Sequence, residues 1–143
     1  MDTTNDVDRA GSQPITAFLR VSVVVLALTT SAIHASLGGL LFAINAVGYA
    51  AIAVAMILPG PFGRARWLIR LALIGFTAAT IGGWILFGAR FPLAYLDKGV
   101  EVVLIVFLAL EVWVLDGGPL GVARRTRRLV GSIGATILAK GER

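Results

Sequence analysis

Cysteine is absent from the 143 residues, which excludes disulfides, thiolate nucleophiles and cysteine-held metals. Histidine occurs once, at His34, so haem held by two histidines is excluded as well. A His–Met pair fails for a different reason. Met56 is the only methionine besides Met1, and at about 1.5 Å of rise per residue it falls about 15 Å in depth from His34 on a helical hairpin. Charge is also scarce. Only 15% of residues are Asp, Glu, Lys or Arg, against about 25% in soluble domains. The shortage is concentrated in four runs (21–32, 40–58, 71–87 and 102–115) whose polar members are a few Ser, Thr, Asn and Tyr residues and Glu111.

What fills these runs is apolar. Hydrophobic residues make up 57% of the chain and mean hydropathy is +0.87. A bilayer core of about 30 Å needs roughly 20 helical residues, and with their flanks the runs give spans at about 15–36, 39–58, 67–87 and 92–115. The expected fold is all-α, a four-helix transmembrane bundle over 15–118. A polar tail over 1–14 precedes it, and a basic tail or interfacial amphipathic helix over 119–143 follows. Gly38-Gly39, the stretch "PGPFG", the stretch "FGARFP" and "DGGP" punctuate the spans. No internal repeat is evident, which counts against an inverted-repeat carrier.

The formal net charge of +5 reflects placement rather than a nucleic-acid surface. Eleven of thirteen Lys and Arg lie before or at the start of span one, between spans two and three or at the start of span three, or after span four; only Arg90 and Lys98 fall on the alternate side. The positive-inside rule then puts both termini in the cytoplasm. Ile33-His34-Ala35 could serve as a signal-peptide cleavage triplet. The segment before the first span carries three aspartates and one arginine, the wrong sign, so span one is expected to be retained. After Pro119, "RRTRR" supplies Arg124, Arg125, Arg127 and Arg128. Beyond them Leu129, Ile133 and Ile137 recur every four residues, with Val130 and Leu138 beside them. This is the pattern of a helix lying on anionic lipid at the cytoplasmic face, or of a solvated basic tail.

Ionisable groups inside a membrane face protein or water and need partners. On the fourth span, at about 100° per residue, Asp97, Glu101, Leu108 and Glu111 share one face, expected to point inward. Arg70 and Glu111 match in depth on neighbouring spans and are expected to form a structural ion pair. Near the opposite surface lie His34, Asn45, Trp84, Arg90, Asp97, Lys98 and Glu101. Such a group could hold a small polar or ionic ligand, or relay protons. Alternatively His34 and Asn45 cross-link helices by hydrogen bonds while the charges sit solvated. Glu101, the deepest of its set, is expected to approach His34 or Asn45. No metal is expected, because His34, Asp97 and Glu101 have no tight ligand spacing. Gly38-Gly39, Gly48, Gly75 and Gly82-Gly83 place small surfaces on three spans where helix backbones can approach closely, and Gly75, Ala79 and Gly83 form small-xxx-small pairs.

The stretches "HASLGGLLFAINAVGYAAIAVAM" and "RWLIRLALIGFTAATIGGWILFGARFPLAYLDKGVEVVLI" resemble a family of uncharacterised small four-helix bacterial membrane proteins. The shared pattern is His34, Asn45, Gly48 and Tyr49, then Gly88, Ala89, Arg90, Pro92, Tyr95, Asp97, Lys98 and Glu101, within about residues 30–112. The resemblance implies the fold and a multi-pass location in the bacterial inner (plasma) membrane, and carries no activity. No nucleophile–base pair or phosphate loop is legible, so neither an enzyme nor a cofactor is expected. The expected role is a non-catalytic accessory or stabilising subunit of a larger membrane complex, partnered by other membrane subunits or by itself. The alternative is a small transporter, channel or ligand-binding membrane protein using the outer polar cluster.

Overall fold

A computed structural model describes residues 3–141, with side chains at 14–128, 130 and 131. Among the described residues every element is a helix: α1 Thr3–Leu37, α2 Leu40–Ile57, α3 Pro61–Arg64, α4 Arg66–Phe87, α5 Pro92–Asp116 and α6 Gly118–Gly141. α1 packs on α2 and α5, α4 packs on α2 and α5, and α6 leans on α5. α1, α2 and α4 are long and apolar enough to cross a membrane, over Pro14–Leu37, Leu40–Ile57 and Arg66–Phe87.

The sequence dictates the joints. Gly38 and Gly39 take φ of 70° and 86°, a backbone region that side chains with a Cβ resist, so α1 reverses into α2 within two residues. Gly117 closes α5 in the left-handed conformation (φ 74°, ψ 30°), its N–H meeting the carbonyl of Val112. Pro92 occupies the first turn of α5, where a missing N–H costs nothing. α1 begins upstream of the expected start at 15 and carries Pro14 inside it. A helix also stands where a basic tail or interfacial helix was expected. The side chains of Leu129, Ile133, Ile137 and Leu138, which define its expected apolar face, lie outside the described residues, while Val130 is exposed.

Buried positions recur with spacings alternating between three and four. α5 buries Ala94, Asp97, Glu101, Leu104, Leu108 and Glu111; α2 buries Ala46, Tyr49, Ala53 and Met56; α4 buries Arg70, Leu73 and Thr77. A mean repeat near 3.5 produces left-handed packing at crossing angles of about 20°. The chemistry along this seam is layered. The middle holds Val23, Ala27, Ala53, Met56, Leu73, Leu104 and Leu108, while the buried charges stand above and below it. Outward faces are apolar: Phe18, Leu40, Leu86 and Phe87 are 64%, 79%, 72% and 88% exposed. Polar inside and apolar outside is the arrangement lipid imposes.

α5 carries more charged side chains than the spans of α1, α2 and α4: Asp97, Lys98, Glu101, Glu111 and Asp116 all stand on it. Its other face is as apolar as theirs, with Val102, Val106, Leu110, Trp113 and Val114 exposed.

Candidate functional site

The end of the molecule holding the 38–39 turn and the 88–91 loop contains a closed polar network built on α5. Asp97 Oδ1 accepts from the Thr30 hydroxyl at 2.6 Å, and Asp97 Oδ2 lies 2.9 Å from Lys98 Nζ. The same ammonium donates to Glu101 Oε2 at 2.6 Å. Glu101 Oε1 accepts from Tyr49 and from Thr80, each at 2.9 Å. Asp97 and Glu101 are 1% and 0% exposed, so these partners carry the whole cost of burying two carboxylates.

His34 joins the network from α1. Its Nδ1 lies 2.9 Å from the Thr30 carbonyl oxygen, which can only accept, so Nδ1 is assigned the proton. Nδ1 also lies 3.5 Å from Asp97 Oδ1, and Nε2 is 4.0 Å from Glu101 Oε1, beyond hydrogen-bond distance. Glu101 therefore nears His34 without bonding to it.

Beside the network opens a cavity of about 410 Å³. Its walls are aromatic and apolar, with Phe42, Phe76, Trp84, Phe87 and Phe91 prominent; its polar lining is His34, Asn45, Thr80, Asp97 and Lys98. Gly83 and Ala79 line it too, and a Cβ at Gly83 would meet nothing within 4 Å.

The structure separates the expected outer set into three parts. His34, Asp97, Lys98 and Glu101 meet in the network. Asn45 lines the cavity, and among the described residues its side chain makes no hydrogen bond. Arg90 leaves the charge cluster altogether: its guanidinium lies over the Trp84 ring, 4.1 Å from the centroid, and donates to the Ile85 carbonyl at 2.8 Å. It finds the aromatic face and a helix-end carbonyl instead. Trp84 in turn donates to the Ala89 carbonyl at 3.1 Å. Thr30, Tyr49 and Thr80 were missed as network members. The available signal was spacing, since Thr30 lies one helical turn before His34 and Tyr49 one turn after Asn45.

At the opposite end Arg70, 4% exposed, serves two acids. Its Nη1 lies 2.7 Å from Asp116 Oδ2, and its Nη2 and Nε each lie 3.3 Å from Glu111 oxygens. Arg125 of α6 binds Asp116 Oδ1 at 2.7 Å, and Arg20 approaches Glu111 at 3.9 Å. Asp116, read from sequence only as part of a helix stop, is a buried junction between α4, α5 and α6. Arg125, counted among the surface cations, is committed to it, while Arg124, Arg127 and Arg128 are exposed.

The small-residue face on α4 is not where helices touch. A Cβ at Gly75 would meet nothing within 4 Å, whereas at Gly48 of α2 it would lie 2.6 Å from Phe76 Cζ. The close approach belongs to Gly48, because the Phe76 ring packs edge-on against Tyr49 at 4.9 Å beside it.

His34, Asp97 and Glu101 offer ligand atoms all within 4.8 Å of one another. A tetrahedral zinc with bonds of about 2.0–2.2 Å would draw such atoms to about 3.4 Å. The Lys98 ammonium already supplies positive charge between the carboxylates, so the set is arranged around an amine. No family model, curated protein or solved structure matches the chain.

Proposed function

We propose that the chain is a four-helix bundle of the bacterial inner membrane that binds a small lipid-soluble molecule in the cavity between His34, Asn45 and Trp84. α5 is the fourth crossing: at about 1.5 Å per residue its 25 residues extend about 37 Å, its charges are turned inward and its apolar side chains outward. The partition of Lys and Arg supports cytoplasmic termini, which sets the cavity in the outer half of the membrane. Arg124, Arg127 and Arg128 then reach anionic lipid from α6.

One observation carries the binding role, the cavity itself. At about 410 Å³ it falls in the range of about 300–1,000 Å³ usual for ligand sites, and like them it joins apolar walls to a few polar groups. The cavity is open on one side, where Leu41, Gly83, Phe87 and Ala89 of its lining are exposed, so a molecule dissolved in lipid has access to it, which favours a binding protein over an accessory subunit. The test uses the double variant Ala79→Leu/Gly83→Leu, which fills the cavity without touching the network. Both proteins are purified in mild detergent and their small-molecule extracts compared by mass spectrometry. A compound present with the native protein and lost from the variant is expected; identical extracts would overturn the proposal.

A further inference from the structure

From the hydrogen-bonding atoms left open at the cavity, we infer that its ligand is a neutral ring compound bearing a hydroxyl group, a lipid-soluble phenol. The inference rests on the binding role proposed above and names its chemistry.

The network fixes what a ligand must supply. Nδ1 of His34 donates to the Thr30 carbonyl, so in the neutral ring Nε2 is an acceptor, and it lies out of hydrogen-bond reach of Glu101 at 4.0 Å. His34 is 3% exposed and lines the cavity. An acceptor left open on the cavity wall can take a donor from a ligand, and the Thr30, Tyr49 and Thr80 hydroxyls are already pledged to Asp97 and Glu101. Asn45, free of hydrogen bonds among the described residues, adds an amide that can donate to the same ligand oxygen. A hydroxyl satisfies both at once, giving its proton to His34 and accepting from Asn45.

Charge argues against ionic heads. A cationic head would meet the Lys98 ammonium, which lines the cavity and lies 2.6 Å from Glu101 and 2.9 Å from Asp97. An anionic head would face the Asp97 carboxylate, also in the lining. The walls choose the body. Phe42, Phe76, Trp84, Phe87 and Phe91 present flat apolar faces suited to stacking on an aromatic ring. Leu41 and Phe87 belong both to the lining and to the exposed outer surface, which lets the ligand enter from lipid.

The experiment compares heads on one tail. 4-Octylphenol, 4-octylanisole and octyltrimethylammonium are titrated into nanodiscs carrying the full chain, with the Ala79→Leu/Gly83→Leu double variant correcting for partition into lipid. The phenol is expected to bind about tenfold or more tightly than its methyl ether, which keeps the oxygen and loses the proton. Asn45→Leu and His34→Phe are each expected to shrink that ratio towards one. Asn45 has no internal hydrogen bond to lose, so its variant keeps the test available if His34→Phe fails to fold. Equal binding of phenol and ether, or preference for the ammonium, overturns the hydroxyl assignment and leaves the pocket role standing. If no probe binds above the filled variant, the extract comparison separates the cases. A compound lost on filling sinks only the phenol, and identical extracts sink both.

Discussion

Arg70 binds two buried acids at once, which makes the three-way junction of α4, α5 and α6 unequal. Glu111 is 0% and Asp116 5% exposed, yet Asp116 keeps Arg125 at 2.7 Å if Arg70 is removed, while Glu111 keeps only Arg20 at 3.9 Å. Arg70→Leu therefore strands chiefly Glu111. Two unit charges about 4 Å apart at an effective dielectric of about 20 interact by about 4 kcal/mol, and breaking a buried pair from one side costs about 3–5 kcal/mol. The expected loss for Arg70→Leu is at the upper part of that range. Glu111→Leu leaves Arg70 bonded to Asp116 at 2.7 Å and is expected to cost only about 2 kcal/mol. In the double variant Asp116 and Arg125 remain paired and no carboxylate is abandoned, so the loss should fall at least about 1 kcal/mol short of the sum. Equilibrium unfolding in mixed micelles with increasing dodecyl sulfate measures all three. Strict additivity, or Glu111→Leu costing as much as Arg70→Leu, would refute the reasoning.

Three further outcomes follow from the geometry. A Cβ at Gly48 would lie 2.6 Å from Phe76 Cζ, so Gly48→Ala should cost about 1–3 kcal/mol, with Phe76→Leu in the same chain recovering part of it; no recovery would place the strain elsewhere. Tyr49→Phe removes one of three donors to Glu101 and should cost about 1–2 kcal/mol, less than Glu101→Leu, which leaves Lys98 and Tyr49 short of a partner; a reversed order in the same unfolding assay counts against the network. For topology, single cysteines at Phe62 and Ala89 of this cysteine-free chain report on opposite surfaces. An impermeant maleimide on intact cells should label position 89 alone, and labelling at 62 would invert the assignment.

The helices were legible because apolar runs of about 20 residues admit few alternatives, and Gly38-Gly39 and Pro92 mark ends through backbone geometry alone. The inward face of α5 was legible for the same reason, since a carboxylate in that setting must turn from lipid. Partners were harder to read. Arg70 and Glu111 could be paired by depth, but Asp116 could not, because a residue beside Gly117-Gly118 reads as a helix stop until α6 is seen folding back with Arg125. Thr30 and Tyr49 were hidden by type: hydroxyls are tolerated on any helix face, and nothing local separates one that binds Asp97 from one that bonds its own backbone, as Thr29 does with Val25. Arg90 misled through proximity in sequence, which does not fix the direction of a long side chain leaving a loop.

The layering also bears on the transport alternative. Glu101 and Glu111 are ten positions apart on one helix, about 15 Å at about 1.5 Å per residue. The seam between them is filled by Leu104 and Leu108 of α5, with Val23, Ala27, Ala53 and Leu73 from the other three helices, each no more than 1% exposed. Among the described residues no titratable side chain stands in that layer to hand on a proton, and an ion crossing it would shed its water against aliphatic carbon at a cost of several kcal/mol. The cavity beside the Glu101 network thus has a floor. Its polar contents, Asp97, Lys98 and Glu101, are bonded to one another, and under the proposed binding role a ligand entering past Phe87 would meet Asn45 and His34 and leave by the way it came. Conduction would need the helices to part along the seam of fully buried Leu104 and Leu108, whereas the cavity already opens between exposed Leu41 and Phe87.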